Sequence, residues 1–91
     1  MNILIPYDVS DDKRRREVDK ILSSFGKRIN YSVFELQVTK VQYREIIGLL
    51  EEATDPKYDH IRIYILGLDS LKKSFILHSN QKVFEYEELY I

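Results

Sequence analysis

Apolar residues along this chain follow two different periods. Asn2–Asp8 is nearly all apolar, with Ile3, Ile5 and Tyr7 at alternate positions, which predicts a strand covered on at least one face. Pro6 has no N–H to donate, so this part of the strand is expected near an edge, an end or a bulge. The period then becomes helical over Lys13–Phe25, after the capping run Ser10–Asp11–Asp12, with apolar residues at i, i+3, i+4 and i+7: Val18, Ile21, Leu22 and Phe25.

Further elements follow from the same kind of pattern. Gly26 is expected to end the first helix in the left-handed conformation. Residues 28–38 are rich in β-branched and aromatic types and predict two short strands with a break near Tyr31–Val33. Thr39 and Gln42 form a capping box for a second helix that runs to Ala53, and the alternating segment Ile61–Leu66 predicts a last core strand that Gly67 closes.

The order strand, helix, strand, strand, helix, strand predicts an α+β fold of the ferredoxin-like βαββαβ type. In that fold an antiparallel sheet carries two helices on one face. Residues 1–91 form a single domain with a core at 1–67. The segment 68–91 contains the apolar runs Phe75–Leu77 and Val83–Tyr86, and we expect it to add a strand to a sheet edge, exchanged between two copies in a dimer.

Composition limits the classes of function. The chain has 91 residues and a formal charge of −1, so any nucleic-acid binding must depend on a local surface. The absence of cysteine excludes disulfides, thiolate nucleophiles and cysteine-ligated metals. No apolar stretch reaches the ~20 residues of a membrane helix, and the apolar run precedes the basic cluster, the reverse of a secretory signal. The sequence therefore predicts a cytoplasmic protein without a membrane association.

Few residues could carry catalysis. His60 and His78 are the two histidines, and neither has a partner at a recognisable spacing, so we interpret both as surface residues. Asp8 ends the first strand and is followed by Asp11, Asp12 and four basic residues. A carboxylate near cations suits a divalent metal in phosphodiester hydrolysis, but aspartates in such a segment are more often turn and capping residues. Magnesium sites usually take carboxylates from more than one position, and a two-fold axis would double this one.

Basic residues also form a possible nucleic-acid surface. Lys13, Arg16 and Lys20 fall at i, i+3 and i+7, to one side of the apolar helix face. The remaining candidates are Arg14, Arg15, Lys27 and Arg28. A run of four basic residues more often forms a solvated helix face than a ligand site. Three aromatic side chains could stack on bases or belong to the core: Tyr7, Tyr31 and Phe34.

Two motifs resemble a known family. Tyr7–Asp8 ends a strand before a basic helix, and Gly26, Arg28 and Ser32–Val33–Phe34–Glu35 follow in order. Together with Arg62–Ile63–Tyr64 and the overall length, they are similar to the Cas-two family of CRISPR-associated proteins. The resemblance covers almost the whole chain.

The resemblance implies a ferredoxin-like homodimer that acts as a magnesium-dependent endonuclease on RNA or double-stranded DNA. It also implies binding to a CRISPR integrase subunit and to spacer-precursor DNA during adaptation. Asp8 matches the family's metal-binding aspartate, contributed by both protomers. The other positions that match the family's catalytic motif are Tyr7, Arg15, Arg28, Ser32 and Phe34.

Three functions remain open at this point. The leading hypothesis is a DNA-binding subunit of the spacer-acquisition complex that carries a phosphodiesterase site at its dimer interface. The others are a toxin-like endoribonuclease that acts alone and a purely structural adaptor.

Overall fold

The computed structural model describes residues 1–84 as a sheet covered on one face by two long helices. The elements are β1 (Asn2–Asp8), α1 (Asp12–Phe25), β2 (Gly26–Asn30), β3 (Val33–Gln37), α2 (Lys40–Ala53), β4 (His60–Ile61), β5 (Tyr64–Leu66) and α3 (Leu68–Lys73). The strand order is β2-β3-β1-β4, with β5 also paired to β1, and every pairing is antiparallel. The predicted ferredoxin-like fold is confirmed.

The core lies between the helices and one face of the sheet. Ile3, Ile5 and Tyr7 of β1 are buried, whereas the alternate residues of the strand are half-buried or exposed. The three side chains belong to one apolar cluster with residues of both helices, chiefly Val18 and Ile46. We call this side of the sheet the helix face and the other side the outer face.

The helix caps follow the predictions. The Asp11 carboxylate accepts the backbone N–H of Arg14 at 2.9 Å and caps α1. The Thr39 hydroxyl accepts the N–H of Gln42 at 3.1 Å, while the Gln42 side chain accepts the N–H of Thr39 at 3.0 Å. Both caps satisfy N–H groups that have no partner within the helix.

The prediction for Gly26 is wrong. Its φ of −155° is extended rather than left-handed. Glycine is needed because β2 approaches β3 closely: a Cβ at this position would lie 2.4 Å from the carbonyl oxygen of Glu35. The residue therefore serves strand packing rather than a left-handed helix end.

The last core strand, predicted as one segment over Ile61–Leu66, is interrupted opposite Pro6. β4 and β5 pair with β1 in a single register, and Arg62 lies across from Pro6, donating its N–H to the Pro6 carbonyl at 2.9 Å. Proline cannot return that bond, so the ladder breaks here. β1 is an interior strand, so the alternative of an edge location for Pro6 is wrong.

The segment after Gly67 differs from the prediction. The chain forms the short helix α3 instead of continuing directly to a strand, and no strand occurs between residues 74 and 84. Phe84 is buried, and its N–H donates to the Glu35 carboxylate at 3.1 Å. Glu85 and Tyr86, the last two residues of the predicted segment Val83–Tyr86, lie outside the described residues. A strand formed on the sheet of a second copy stays a prediction.

Candidate nucleic-acid and phosphodiesterase site

Three of the predicted site residues, Tyr7, Arg28 and Phe34, meet on the helix face. Together with Asp19, which was not among the predicted residues, they form what we call the Arg28 cluster. The Tyr7 hydroxyl donates to the Asp19 carboxylate. The Arg28 guanidinium lies 3.3 Å from Asp19 Oδ2 and donates to the Tyr7 hydroxyl at 3.3 Å. It also covers the Phe34 ring at 4.8 Å from the centroid, a distance typical of a cation–π contact. The cluster ties α1 to β1, β2 and β3.

Burial of Tyr7 and its hydrogen bond to Asp19 raise the pKa of its hydroxyl to about 12. Both causes disfavour the phenolate, because burial removes water and the carboxylate repels a second negative charge. Tyr7 is therefore a protonated donor at neutral pH. This suits a fixed structural contact better than a general base.

The Arg28 cluster also fixes the turn between β2 and β3. Arg28 donates to the carbonyl of Tyr31, and Tyr7 donates its backbone N–H to the carbonyl of Ser32 at 3.0 Å. The Tyr31 side chain is 76% exposed, whereas Tyr7 and Phe34 are buried. Of the three aromatic residues proposed to stack on bases, only Tyr31 presents its ring to solvent.

Asp8 lies on the other side of the sheet from this cluster. Successive strand residues face opposite ways, and Asp8 follows the buried Tyr7 and is itself exposed. No hydrogen bond or ion pair engages its carboxylate within residues 1–84. The structure therefore separates Asp8 from Tyr7, Arg28 and Phe34 by the thickness of the sheet.

The other acidic candidates have structural partners. Asp11 caps α1, and Asp12 accepts from the Arg15 guanidinium at 2.7 Å. Among the described residues, no group of three acidic or histidine side chains could hold a metal ion. One chain thus offers Asp8 alone to the Mg²⁺ that the family resemblance implies, which is short of a complete ligand set.

The basic candidates divide into paired and unpaired residues. The Arg14 guanidinium binds the buried Asp59 carboxylate through Nε at 2.7 Å and Nη2 at 3.3 Å. The Arg14 hydrogen bond holds the pKa of Asp59 below its usual range. Arg15 and Arg28 are paired as described above. The other basic candidates have exposed side chains and form no ion pair within residues 1–84: Lys13, Arg16, Lys20 and Lys27.

Sequence reasoning missed Asp19 and Asp59. Asp19 lies between the apolar positions of α1 beside four cations, where a solvated charge was the natural interpretation. Asp59 comes from the loop before β4, far along the chain from Arg14. No local spacing indicates either pairing, because each depends on how separate elements pack.

Comparisons with known proteins agree with this fold. The family model described as CRISPR associated protein Cas2 matches residues 1–74. The chain is 34% identical to the CRISPR-associated endoribonuclease Cas2 of Thermus thermophilus over 73 residues, which are 80% of this chain and 78% of the relative. It is 36% identical to the CRISPR-associated endoribonuclease Cas2 3 of Chloroflexus aurantiacus over 76 residues, covering 84% of this chain and 82% of the relative.

Solved structures show the same similarity. Streptococcus pyogenes Cas2, crystallised at pH 6.5, superposes with a TM-score of 0.74 at 35% identity, covering 85% of this chain and 99% of the other. A chain of a partial Cas6-RT-Cas1–Cas2 complex superposes with a TM-score of 0.75 at 25% identity, covering 99% and 97%. No helix within residues 1–84 is long and apolar enough to cross a membrane. The chain belongs to the CRISPR associated protein Cas2 family, the Cas-two family whose motifs the sequence carries.

Proposed function

We propose that this protein is a homodimeric nucleic-acid-binding subunit of the CRISPR adaptation complex, with a magnesium-dependent phosphodiesterase site at the dimer interface. The observation that carries the proposal is Asp8. It is an exposed carboxylate at the end of β1, on the outer face, with no partner within residues 1–84. The other two candidate aspartates, Asp11 and Asp12, are engaged in capping and pairing.

The dimer resolves the shortage of ligands. Two Asp8 carboxylates that meet at a two-fold axis would hold Mg²⁺ where one cannot. A second observation supports association: Phe75 and Leu77 remain 75% and 69% exposed, and apolar side chains of this size gain from cover. We therefore keep residues 68–91 as the segment exchanged between copies.

In the proposed site, different groups of residues in each protomer would have different roles. When bound, Mg²⁺ neutralises charge on a phosphate and activates water. The stripe Lys13, Arg16 and Lys20, which forms no ion pair within residues 1–84, would hold the phosphate backbone without reading base identity. The Arg28 cluster would act as a positioning unit, since it fixes the β2–β3 turn rather than facing Asp8.

The comparisons support the choice of partners and substrates. The matching relatives are named endoribonucleases, and one matching structure is a complex that contains Cas1. We propose an integrase subunit of the Cas1 type as the protein partner and double-stranded DNA as the nucleic acid bound in adaptation. The names of the relatives favour a second candidate, a stand-alone endoribonuclease that uses the same Asp8 site.

A cleavage assay tests the proposal. The purified protein is incubated with RNA and with duplex DNA, with Mg²⁺ or with EDTA, alongside Asp8→Asn and the control Glu51→Gln, which removes one exposed carboxylate from α2. We expect cleavage that requires Mg²⁺, is lost in Asp8→Asn and persists in the control. Cleavage of RNA alone would select the endoribonuclease. Equal cleavage by wild type and a folded Asp8→Asn variant would refute the site.

A further inference from the structure

His60 lies directly opposite Asp8 across the β1–β4 pair. The antiparallel register matches Asp8 with His60 and Tyr7 with Ile61. Directly opposed residues in such a pair point to the same face, so both side chains belong to the outer face. Both are exposed, and neither forms a hydrogen bond or ion pair within residues 1–84. Within residues 1–84 the Asp8 carboxylate and the His60 imidazole therefore lie on one face without a hydrogen bond or an ion pair, and the charge that acts on His60 is that of the neighbouring Asp59 carboxylate.

The backbone beneath this pair is held by neighbouring residues. Tyr7, immediately before Asp8, is anchored in the core and bound to Asp19. Asp59, immediately before His60, is buried, accepts from Arg14, and also accepts the backbone N–H of Asp55 at 2.8 Å. Each member of the pair therefore follows a residue fixed on the helix side, which limits how far the two backbones can move apart.

We propose that His60 is a second ligand at the Asp8 site and that the Asp8–His60 pair binds a divalent first-row transition ion in preference to Mg²⁺. Opposed residues have Cβ atoms about 4.5–5.5 Å apart. From there a carboxylate oxygen and an imidazole nitrogen can both reach a metal at about 2.0–2.2 Å. Imidazole favours transition ions, whereas Mg²⁺ prefers oxygen ligands and water.

The inference rests on the proposed dimer for a complete ligand set. One chain supplies two ligands, but two copies related by a two-fold axis at Asp8 would supply two carboxylates and two imidazoles. Four ligands of this mixed kind suit Mn²⁺ or Zn²⁺. Such a site differs from a magnesium site built from carboxylates alone.

Proton NMR with Mn²⁺ as the probe tests the pair without measuring activity. The chain has only two histidines, so His60 and His78 give two sets of imidazole signals, and His78 is an internal control in the C-terminal segment. Mn²⁺ is titrated into the full-length protein at about pH 8, where a histidine is neutral and can bind metal, with Mg²⁺ in excess. We expect paramagnetic broadening of the His60 signals before those of His78, and its loss in Asp8→Asn.

Calorimetry on His60→Gln supplies the second measurement. Loss of an outer-shell group already weakens metal binding about 10–100-fold, so loss of a direct ligand should weaken Mn²⁺ binding by about tenfold or more. His78→Gln should bind Mn²⁺ as the wild type does. Equal broadening of both histidines, no broadening, or unchanged Mn²⁺ affinity in His60→Gln would overturn the inference.

These outcomes separate the inference from the proposed function. If His60→Gln binds Mn²⁺ normally while Asp8→Asn abolishes Mg²⁺-dependent cleavage, the phosphodiesterase site stands and the role of His60 fails. If His60→Gln weakens Mn²⁺ binding but Asp8→Asn cleaves at the wild-type rate, the metal pair exists and the phosphodiesterase assignment fails.

Discussion

Gly26 joins α1 to β2 at a point with no room for a side chain. In Gly26→Ala the new Cβ would lie 2.4 Å from the Glu35 carbonyl oxygen and 2.7 Å from Leu36 Cγ. The nearest obstacle is backbone, so β2 must move by several tenths of an ångström from β3. Overpacking of this kind costs about 1–3 kcal/mol, and each kcal/mol lowers the melting temperature of a domain of this size by about 4–8 °C.

Urea denaturation followed by circular dichroism, at one fixed protein concentration, measures this effect. Gly48→Ala is the control, because a Cβ at Gly48 meets nothing within 4 Å. That change in an exposed helical position should stabilise the protein by about 0.5–1 kcal/mol. Gly26→Asn adds a further test, since asparagine tolerates left-handed backbone but carries the same Cβ. Wild-type stability in Gly26→Ala or Gly26→Asn would refute the close-approach explanation.

Three further predictions concern ionisable groups. Because Arg14 lowers the pKa of Asp59, this carboxylate stabilises the fold at neutral pH, and the stabilisation is lost as the pH falls below about 4. In Asp59→Asn the free energy of unfolding should therefore depend less on pH in this range. An unchanged pH dependence below about 4 would contradict this. The pKa of Tyr7 is raised to about 12, so the stability of the protein should fall as the pH rises from about 10, the ordinary tyrosine value, towards 12. In an absorbance titration, Tyr7→Phe should lack the last tyrosine to ionise. Identical titrations of the wild type and Tyr7→Phe would argue against the Arg28 cluster. Replacing Lys13, Arg16 and Lys20 by glutamine should weaken the binding of duplex DNA of any sequence and lower the slope of log K against log salt by about 2.7. Neutralising the two lysines of α3 is the control and should change the slope less. An unchanged slope in the triple variant would mean that these three residues do not contact the DNA.

The hydrophobic period and the helix caps predicted the elements of the core, because both depend on residues that are close together in the sequence. Period and caps located β1, α1 and α2 to within a residue. By contrast, α3 has six residues and no buried side chain, so no apolar period marks it. The conformation of Gly26 could not be predicted, since a glycine serves a left-handed turn and a close approach equally well.

The sequence predicted which residues form the candidate site, but it did not predict how they are arranged relative to one another. Tyr7 and Asp8 are adjacent in the motif, yet consecutive strand residues face opposite sides of a sheet, and the structure places them so. The separation of Tyr7 and Asp8 follows from the two-residue period of a β-strand, so it could have been predicted from the sequence. The pairing of Arg28 with Asp19, and of Asp8 with His60, required the strand register and helix packing.

The proposed phosphodiesterase site needs an Asp8 carboxylate from each of two protomers. Wild-type protein is mixed with increasing amounts of Asp8→Asn protein, exchanged to equilibrium, and assayed for Mg²⁺-dependent cleavage at constant total protein. If both carboxylates are required, activity follows the square of the wild-type fraction and falls to about a quarter in an equal mixture. A linear fall to about half would show that each protomer cleaves independently and would contradict the account.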